Sequence, residues 1–296
     1  MGALEALRAR PGVGYMVASA FFFSVMSAFV KAAGERLPSQ EIVLARALIA
    51  LVLCAALLWR AGVPPWGRRR GLLLLRGAFG FLGLLCVFYS LTQLPIAEAT
   101  VIQYLHPIFT ALLAAAFLGE RAGAALLAGV ATSLLGVLAV ARPAGVGSLD
   151  GSLALPPVAL LAALGGAFFS GCAYVVVRKL AATEHPLVIV LYFPLVAAPA
   201  SLPAVWPVFV MPRGVEWLLL LGVGIAAQLG QVALTKGLRH EPAGRATALA
   251  YLQVVFAALW GTSFFGEVPD VWTWLGAFLI LAGTLFALRD GRSRQA

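Results

Sequence analysis

The chain has 296 residues, of which 62% are hydrophobic and only 11% charged, and its 21 Lys and Arg against 12 Asp and Glu give a net charge of +9. Soluble enzymes carry about 25% charged residues, so this composition excludes an ordinary soluble enzyme and leaves little length for a large extramembrane domain. At roughly 20 apolar residues per spanning helix, the length allows about ten transmembrane helices.

Apolar segments separated by short charged or Pro/Gly-rich turns predict an all-α polytopic membrane protein. Five spans are expected in the first half, near residues 13–30, 42–59, 72–91, 97–118 and 122–141. After a polar, glycine-rich connector, five more are expected near residues 157–177, 187–206, 215–234, 243–265 and 271–288. The first segment follows two arginines, but it is longer than the roughly 7–15 apolar residues of a signal peptide, so we interpret it as a spanning helix.

The basic residues are unequally distributed between the two sides that ten spans define. The richer side holds Arg8, Arg10, Arg60, Arg68, Arg69, Arg70, Arg76, Arg121, Arg178, Lys179, Lys236, Arg239, Arg245, Arg289, Arg292 and Arg294. The other holds Lys31, Arg36, Arg142 and Arg213, while Arg46 lies within a span. The positive-inside rule predicts cytoplasmic N- and C-termini in a plasma (inner) membrane. The charge therefore indicates topology and contact with anionic membrane lipid, and no nucleic acid is expected as a partner.

An internal repeat divides the chain. Gly119-Glu120 recurs as Gly266-Glu267, and the same ungapped offset of 147 residues (267 − 120) aligns many other positions. They include Gly77 with Gly224, Pro95 with Pro242, Ala99-Thr100 with Ala246-Thr247, Tyr104-Leu105 with Tyr251-Leu252, and Gly136 with Gly283. The expected organisation is a first five-helix repeat (1–142), a connector (143–156), a second five-helix repeat (157–289) and a cytoplasmic tail (290–296).

An odd number of spans per repeat has a topological consequence. The second copy must enter the membrane from the opposite side, so the repeat is inverted. Inverted repeats are typical of secondary transporters, which bind substrate near the midplane between the halves and alternate access by rocking one bundle against the other. A duplicated scaffold without transport is the alternative.

The motifs of the third and fourth spans resemble a known family. The run from Tyr89 to Thr100 (YSLTQLPIAEAT), followed by Tyr104, Pro107 and Gly119-Glu120-Arg121, is similar to the EamA-type drug/metabolite transporter superfamily, and Arg46 fits the same pattern. The resemblance implies ten helices in two inverted halves and cytoplasmic termini. It also implies a central cavity lined chiefly by helices 1, 3, 4, 6, 8 and 9, and frequent dimerisation through helices 5 and 10. The second copy departs from the first, since Arg245 replaces Glu98 and Gln253-Val254 replaces His106-Pro107.

Polar side chains inside spans are costly and mark a candidate substrate-binding site. Arg46 either holds an anionic group or has a structural role, by capping helix carbonyls, pairing with Glu41 or reaching the surface. The Tyr residues of the repeat are expected to face each other across the pseudo-twofold axis. The candidate substrate-binding residues are Arg46, Gln103, Tyr104, His106, Gln228, Gln231, Tyr251, Gln253, Ser24 and Tyr89.

The sequence offers no buried carboxylate for ion coupling, because every Asp and Glu falls at a predicted span end, in a loop or on a tail. His106 alone titrates near neutrality within a span. We therefore expect facilitated diffusion or exchange of a neutral, zwitterionic or anionic substrate. Three separated Cys and three separated His match no metal site, and neither HExxH nor GxSxG occurs, so no metal, cofactor or catalytic residue is expected.

The sequence thus predicts a transporter rather than an enzyme. We expect a secondary exporter or exchanger that moves a small polar metabolite, of the amino acid or organic anion type, by alternating access. The alternatives are an efflux carrier for drugs or toxic compounds and, more remotely, an intramembrane enzyme. A stripe of Gly129, Gly136, Gly276 and Gly283 on helices 5 and 10 is interpreted most simply as packing within the chain, which leaves a homodimer through these helices open.

Overall fold

The computed structural model describes residues 11–118, 124–141, 155–181, 183–240 and 249–290. These residues form α-helices joined by short turns, with one 3₁₀ turn at Trp206–Val208 and no strand among them. The helices are α1 (Pro11–Ala33), α2 (Ser39–Ala61), α3 (Arg70–Gln93), α4 (Ile96–Gln103), α5 (His106–Leu118), α6 (Ala124–Ala141), α7 (Pro157–Ala181), α8 (Pro186–Val205), α9 (Val215–His240), α10 (Leu252–Phe265) and α11 (Val271–Asp290).

These helices account for the ten expected spans. Seven helical segments are long and apolar enough to cross a membrane, and one of them, Ile96–Leu113, joins α4 to most of α5 as the fourth span. Three shorter apolar helices, Leu127–Val140, Leu252–Phe265 and Val271–Phe286, correspond to the fifth, ninth and tenth spans. The segment after Asp290, predicted to be a cytoplasmic tail, and most of the predicted connector lie outside the described residues, as do Glu120, Arg142 and Arg245.

The outer surface is apolar. Trp59, Leu127, Leu161 and Phe278 are each more than half exposed. In water such an exposed apolar surface would be an aggregation liability, whereas lipid is as apolar as these side chains. Several polar side chains of the spans are buried, among them Ser24, Thr100 and Ser133, so the interior is the place to look for a site.

The helix packing follows the inverted repeat. The most extensive contacts are those of α6 with α11, α1 with α9, α3 with α7 and α2 with α8, and each joins the first half to the second. The contacts of α1 with α9 and of α7 with α3 are equivalent under the repeat, as are those of α5 with α7 and of α10 with α1. The halves are therefore interlocked about a pseudo-twofold axis.

Glycines bring the fifth and tenth spans into close contact. A Cβ placed on Gly136 would lie 2.8 Å from the Gly276 carbonyl oxygen, and one placed on Gly283 would lie 2.5 Å from that of Gly129. The absent side chains let the two backbones touch. The glycine stripe is thus used for packing within one chain, as the simpler interpretation of the sequence predicts.

The turns gather on two faces. Contacts among Gly34–Pro38, Leu94–Pro95, Phe209–Gly214 and Gly266–Asp270 define what we call the first-loop face. The turns around Gly67–Arg69 and Thr183–His185 meet on the opposite side, called the terminal face because α1 begins there. This alternation of turns is the one that ten crossings require.

Candidate substrate-binding site

The helix of the fourth span is broken near its middle, next to a proline. α4 ends at Gln103, and α5 begins at His106 with Pro107 as its second residue. Pro107 has no backbone N–H, so the helical hydrogen bond to the Gln103 carbonyl is missing. The Ile108 N–H bonds the Leu105 carbonyl at 3.0 Å instead of the Tyr104 carbonyl that a regular helix would use. The break therefore leaves the Tyr104 carbonyl available to another part of the protein.

The ninth span breaks at the equivalent place. Tyr251 lies in a turn before α10 begins at Leu252, as Tyr104 does in the first half. The rings of Tyr104 and Tyr251 lie 4.4 Å apart between centroids, so the repeat correctly predicts that they meet. The Tyr251 hydroxyl donates to the Tyr104 carbonyl at 3.2 Å, and the Tyr104 hydroxyl donates to the Ala250 carbonyl at 2.5 Å. Each tyrosine thus closes the helix break of the opposite half.

Several other predicted residues surround this tyrosine pair. The Gln253 side-chain oxygen lies 3.0 Å from the Tyr104 hydroxyl. The Gln103 amide donates to the Ser170 hydroxyl at 3.1 Å, which joins the two halves again. The His106 ring stacks on Tyr174 at 5.2 Å between centroids. Gln103 Oε1 and His106 Nδ1 are buried and have no hydrogen-bond partner among the described residues, so this layer has unused capacity to bind a polar solute.

Arg46 reaches the interior from α2, and a second arginine meets it there. The Arg46 guanidinium carbon lies 5.6 Å from the Phe88 ring centroid and 5.5 Å from that of Phe193. The Arg76 guanidinium carbon lies 5.6 Å from the same Phe193 centroid. Glu41 does not pair with Arg46, because its carboxylate accepts from the Val210 N–H at 3.1 Å on the first-loop face.

Arg76 is the residue that sequence reasoning missed. It was assigned to the basic side because it lies near the start of the third span, yet its side chain runs inward along α3. A Cβ on Gly80, one turn further, would lie 2.5 Å from Arg76 Nη1, so the guanidinium occupies the space that this glycine leaves. The spacing Arg76-x-x-x-Gly80 is the sequence signal that the Arg76 side chain could lie over Gly80. Only the packing of α3 against α8 shows that the side chain does so.

The charges of these two arginines are poorly compensated within the protein. No ion pair joins either of them to a carboxylate of the described residues, and Arg76 Nε is buried without a hydrogen-bond partner there. Placing an arginine at the centre of a spanning helix costs about 2.5–3.5 kcal/mol on insertion scales. A cation–π contact returns only about 0.5–2 kcal/mol. The aromatic rings therefore offset part of the cost, and two cations remain close together.

The remaining predicted residues are placed more widely. Gln228 lies near Cys54, which itself lies near Arg76, so Gln228 belongs to the arginine side of the interior. Gln231 is half-buried one turn further along α9. The buried Ser24 hydroxyl accepts from the Trp260 indole N–H at 3.0 Å, between α1 and α10. Tyr89 lines a separate polar pocket of about 260 Å³ at the first-loop face.

The first-loop face is closed by charged groups that cross between the halves. Lys31 pairs with the Glu267 carboxylate and donates to the Leu94 carbonyl at 2.8 Å. The Glu267 carboxylate also accepts from the Ile96 N–H at 3.0 Å, at the start of α4, where a helix favours negative charge. Gly266 adopts a φ of 67°, which turns the chain so that Glu267 points across. This contact gives the second copy of the Gly-Glu motif, Gly266-Glu267, a structural role.

A second ion pair crosses the same face nearer to solvent. Arg36 pairs with Glu216 and donates to the Met211 carbonyl at 2.8 Å. The hydrogen bond that Arg36 donates to the Glu216 carboxylate raises the pKa of the Arg36 guanidinium, so Arg36 stays charged at every physiological pH. On the terminal face, the Glu184 carboxylate accepts from the backbone N–H groups of Arg68 and Arg69 at 3.1 and 2.6 Å. That carboxylate caps the N-terminus of α3 from the other half.

A comparison with known families gives a direct match. The profile described as the EamA-like transporter family matches residues 10–142 and again residues 157–289. The chain belongs to the EamA-like transporter family. Its second match begins (157 − 10) and ends (289 − 142) 147 residues after the first, which is the offset found in the sequence. The protein is therefore a multi-pass membrane transporter of small molecules built from two inverted repeats, and not an intramembrane enzyme.

Individual relatives extend over almost the whole chain. A pseudopaline exporter, CntI, of Pseudomonas aeruginosa is 37% identical over 277 residues, which are 93% of this chain and 95% of the relative. A riboflavin transporter of Vibrio cholerae is 27% identical and covers 93% of this chain and 92% of the relative. A solved crystal structure with a TM-score of 0.66 and 22% identity covers 97% of this chain and all of the other, and it supports the fold alone.

Proposed function

We propose that this protein exports a small polar metabolite across the inner membrane by alternating access between its inverted halves. The observation that carries the proposal is the contact of Tyr104 with Tyr251 at the two helix breaks. Transporters with inverted repeats bind substrate at the midplane, where discontinuous helices of both halves expose backbone and polar side chains. The tyrosine layer, with Gln103, His106 and Gln253 around it, has this character.

Access to this layer would be controlled at the two faces. The pairs of Lys31 with Glu267 and of Arg36 with Glu216 join the halves on the first-loop face, and they support a conformation in which that face is closed. Opening would separate these pairs and expose the tyrosine layer from that side. Tyr89, at the polar pocket of this face, would then lie near the mouth of the pathway.

The orientation in the membrane is proposed from the distribution of basic residues. More of them lie on or near the terminal face, namely Arg60, Arg68, Arg69, Arg70 and Lys179. The first-loop face has Lys31, Arg36 and Arg213. The positive-inside rule then places the terminal face, and both chain termini, in the cytoplasm. In that orientation the first-loop face is extracytoplasmic. Export is supported by the relative from Pseudomonas aeruginosa, which is a pseudopaline exporter.

We propose that solute transport is not coupled to a proton or Na⁺ through a buried carboxylate. The buried acidic side chains Glu41, Glu98 and Glu184 lie at helix starts or in a turn, where backbone N–H groups or hydroxyls bind them. Facilitated diffusion or exchange of solutes is therefore the proposed mode of transport.

An efflux carrier for lipophilic compounds is a second candidate, favoured by one observation. An apolar groove of about 420 Å³ lies between α2 and α9, lined mainly by Leu53, Leu57, Leu229 and Val232. Gln228 also lines this groove, so an amphipathic solute bound there would contact the polar interior at one end. The riboflavin transporter among the relatives indicates that larger solutes are carried within the family.

A homodimer through the fifth and tenth spans, α6 and α11, remains a proposal. Because the glycine stripe is occupied within the chain, a dimer would have to use the outer faces of these helices. Exposed Leu134, Leu138 and Phe278 are available there. Crosslinking of the protein in native membranes would reveal such a dimer, and a single-chain mass in nanodiscs would contradict it.

The function is tested by transport in proteoliposomes without ATP or metal. Purified protein is reconstituted, loaded with a panel of amino acids, organic acids, nucleosides and lipophilic cations, and assayed for counterflow against protein-free liposomes. Saturable counterflow of a polar solute supports the proposal, and counterflow of lipophilic cations alone favours the efflux carrier. Absence of flux for every solute, with hydrolysis of any of them, would overturn both.

A further inference from the structure

We propose that Arg46 and Arg76 form a binding subsite for a small anion that carries at least two carboxylate groups. This inference rests on the proposed function, because it names the substrate class of the same interior site. The observation behind it is the position of two guanidinium groups around one aromatic ring, Phe193, inside the membrane-spanning part of the protein.

The two cations are close to one another and approach from opposite faces. Each guanidinium carbon lies within 5.6 Å of the Phe193 centroid, so the two are separated by no more than twice that distance. α2 enters from the first-loop face and α3 from the terminal face, so the side chains converge from the two ends of the bundle. Like charges at this separation repel, and the repulsion is strong where water is scarce. A negatively charged partner would relieve it.

The protein itself does not supply that partner among the residues the structure describes. The Glu41 carboxylate, which the sequence offers as one alternative partner for Arg46, accepts from the Val210 N–H, and Arg76 Nε is buried without an acceptor. Removing a charge from water without a partner is expensive, so such a pair is expected to persist only where a ligand uses it. The free donors point to an anionic ligand and argue against a cationic one.

The geometry favours two separate carboxylates over one. A guanidinium presents a planar fork of N–H donors that matches one carboxylate through two parallel hydrogen bonds. Two such forks, each within 5.6 Å of the centroid of one ring, match two carboxylates joined by a short spacer. The rings of Phe88 and Phe193 would contact that spacer and keep water from the ion pairs.

Neighbouring polar groups extend the subsite toward the tyrosine layer. Tyr174 and Cys54 both lie near Arg76, and Gln228 lies near Cys54. The Tyr174 ring stacks on His106, with 5.2 Å between the ring centroids. The His106 ring in turn lies 6.0 Å from that of Tyr104, so ring contacts join Tyr174 to the tyrosine layer. A polycarboxylate held at the arginines would therefore remain in contact with the proposed transport pathway.

The experiment compares matched ligands on the purified full-length protein. Thermal unfolding and isothermal titration are measured with succinate, citrate, butyrate and dimethyl succinate. Succinate and citrate are expected to stabilise the protein and bind, whereas butyrate and the uncharged diester are not. Equal binding of the diester, or of butyrate with the same affinity as succinate, would overturn the inference.

Variants show whether the two arginines are responsible. Arg46→Gln and Arg76→Gln are each expected to weaken succinate affinity at least about tenfold, the effect of losing one charge-assisted hydrogen-bond pair. Arg70→Gln removes the same charge from the exposed start of α3 and is the matched control, expected to keep the affinity. If the Gln variants do not fold, Arg76→Lys tests the same point, because it keeps the charge but loses the bidentate fork. Unchanged affinity in the folded arginine variants would contradict the subsite.

Counterflow of the same solutes separates this inference from the proposed function. Counterflow of a polar solute, together with succinate affinity that the arginine variants leave unchanged, would refute the carboxylate subsite and keep the transporter. Succinate binding that depends on both arginines, without flux of any solute, would keep the subsite and refute the transport proposal.

Discussion

The ammonium group of Lys31 in the first half pairs with the carboxylate of Glu267 in the second, and the same carboxylate caps the helix that begins at Ile96. One side chain therefore holds together the end of the first span, the start of the fourth and the turn between the ninth and tenth. Such a contact is expected to determine how readily the first-loop face opens.

Glu267→Gln should weaken this closure. The amide keeps an oxygen for the Ile96 N–H but loses the ion pair, and a hydrogen bond to a charged group contributes about 1.5–3 kcal/mol where it is partly buried. We expect a lower thermal unfolding temperature with transport retained, because the opening of the face is not prevented. Glu35→Gln, an exposed carboxylate on the same face, is the matched control and should leave the temperature unchanged. Equal temperatures for the two variants would contradict a closing role for Glu267.

Tyr104→Phe and Tyr251→Phe should each reduce transport while the protein still folds. Each substitution removes one hydroxyl that bridges the halves, at a cost of about 0.5–1.5 kcal/mol per hydrogen bond, which the fold can tolerate. The measurement is counterflow rate per folded protein, with folding monitored by size-exclusion chromatography. Tyr192→Phe, at a buried tyrosine of α8 distant from the helix breaks in sequence, serves as control. Wild-type rates in both pseudo-twofold variants would show that the tyrosine layer is not part of the pathway.

Gly283→Val should prevent correct packing of α6 with α11. The added side chain would meet the Gly129 backbone and Ser133, whose atoms lie 2.3–2.5 Å from an added Cβ, and backbone cannot yield as a flexible side chain can. We expect little monodisperse protein or a much lower unfolding temperature. Gly71→Ala, where an added Cβ meets nothing within 4 Å, should be neutral. A stable Gly283→Val protein would contradict this close packing of α6 against α11.

Transport should not depend on a proton gradient. The buried carboxylates of the described residues lie at helix starts or in a turn, so no acidic relay at the midplane is available to carry protons. Net uptake of solute into the liposomes is expected to proceed at the same rate when a protonophore collapses an imposed pH difference across the membrane. Loss of net uptake with the protonophore would show that a proton is coupled after all, with His106 as the first residue to examine.

Much of the fold was predictable from the sequence because lipid and symmetry constrain it strongly. Apolar segments must become spanning helices, and the 147-residue offset implies an inverted repeat that places Tyr104 opposite Tyr251. The basic residues also indicate an orientation for the protein. These features depend on composition and on relations within one chain, which a single sequence displays.

The meeting of Arg46 and Arg76 could not be predicted from the sequence, for a physical reason. The direction of the Arg76 side chain depends on the space above Gly80 and on the Phe193 ring of a different helix, and neither relation follows from the repeat. The proximity of Gln228 to Cys54 likewise depends on how two different helices pack. Ser24 and Tyr89 illustrate the converse, since their repeat or motif positions predicted binding, while the structure gives Ser24 a hydrogen bond to Trp260 and places Tyr89 at the first-loop face. Their participation in binding stays a prediction.

Alternating access between the two faces can be tested with a reversible crosslink across the first-loop face. Lys31→Cys and Glu267→Cys are combined in a protein whose three native cysteines are replaced, and the pair is joined with a short cleavable bismaleimide. Completeness of crosslinking is read from a gel after cleavage of the chain between the two halves. The unlinked double variant is expected to show counterflow. Counterflow should stop when the first-loop face is crosslinked and return when the linker is cleaved. Full counterflow in quantitatively crosslinked protein would contradict alternating access through this face.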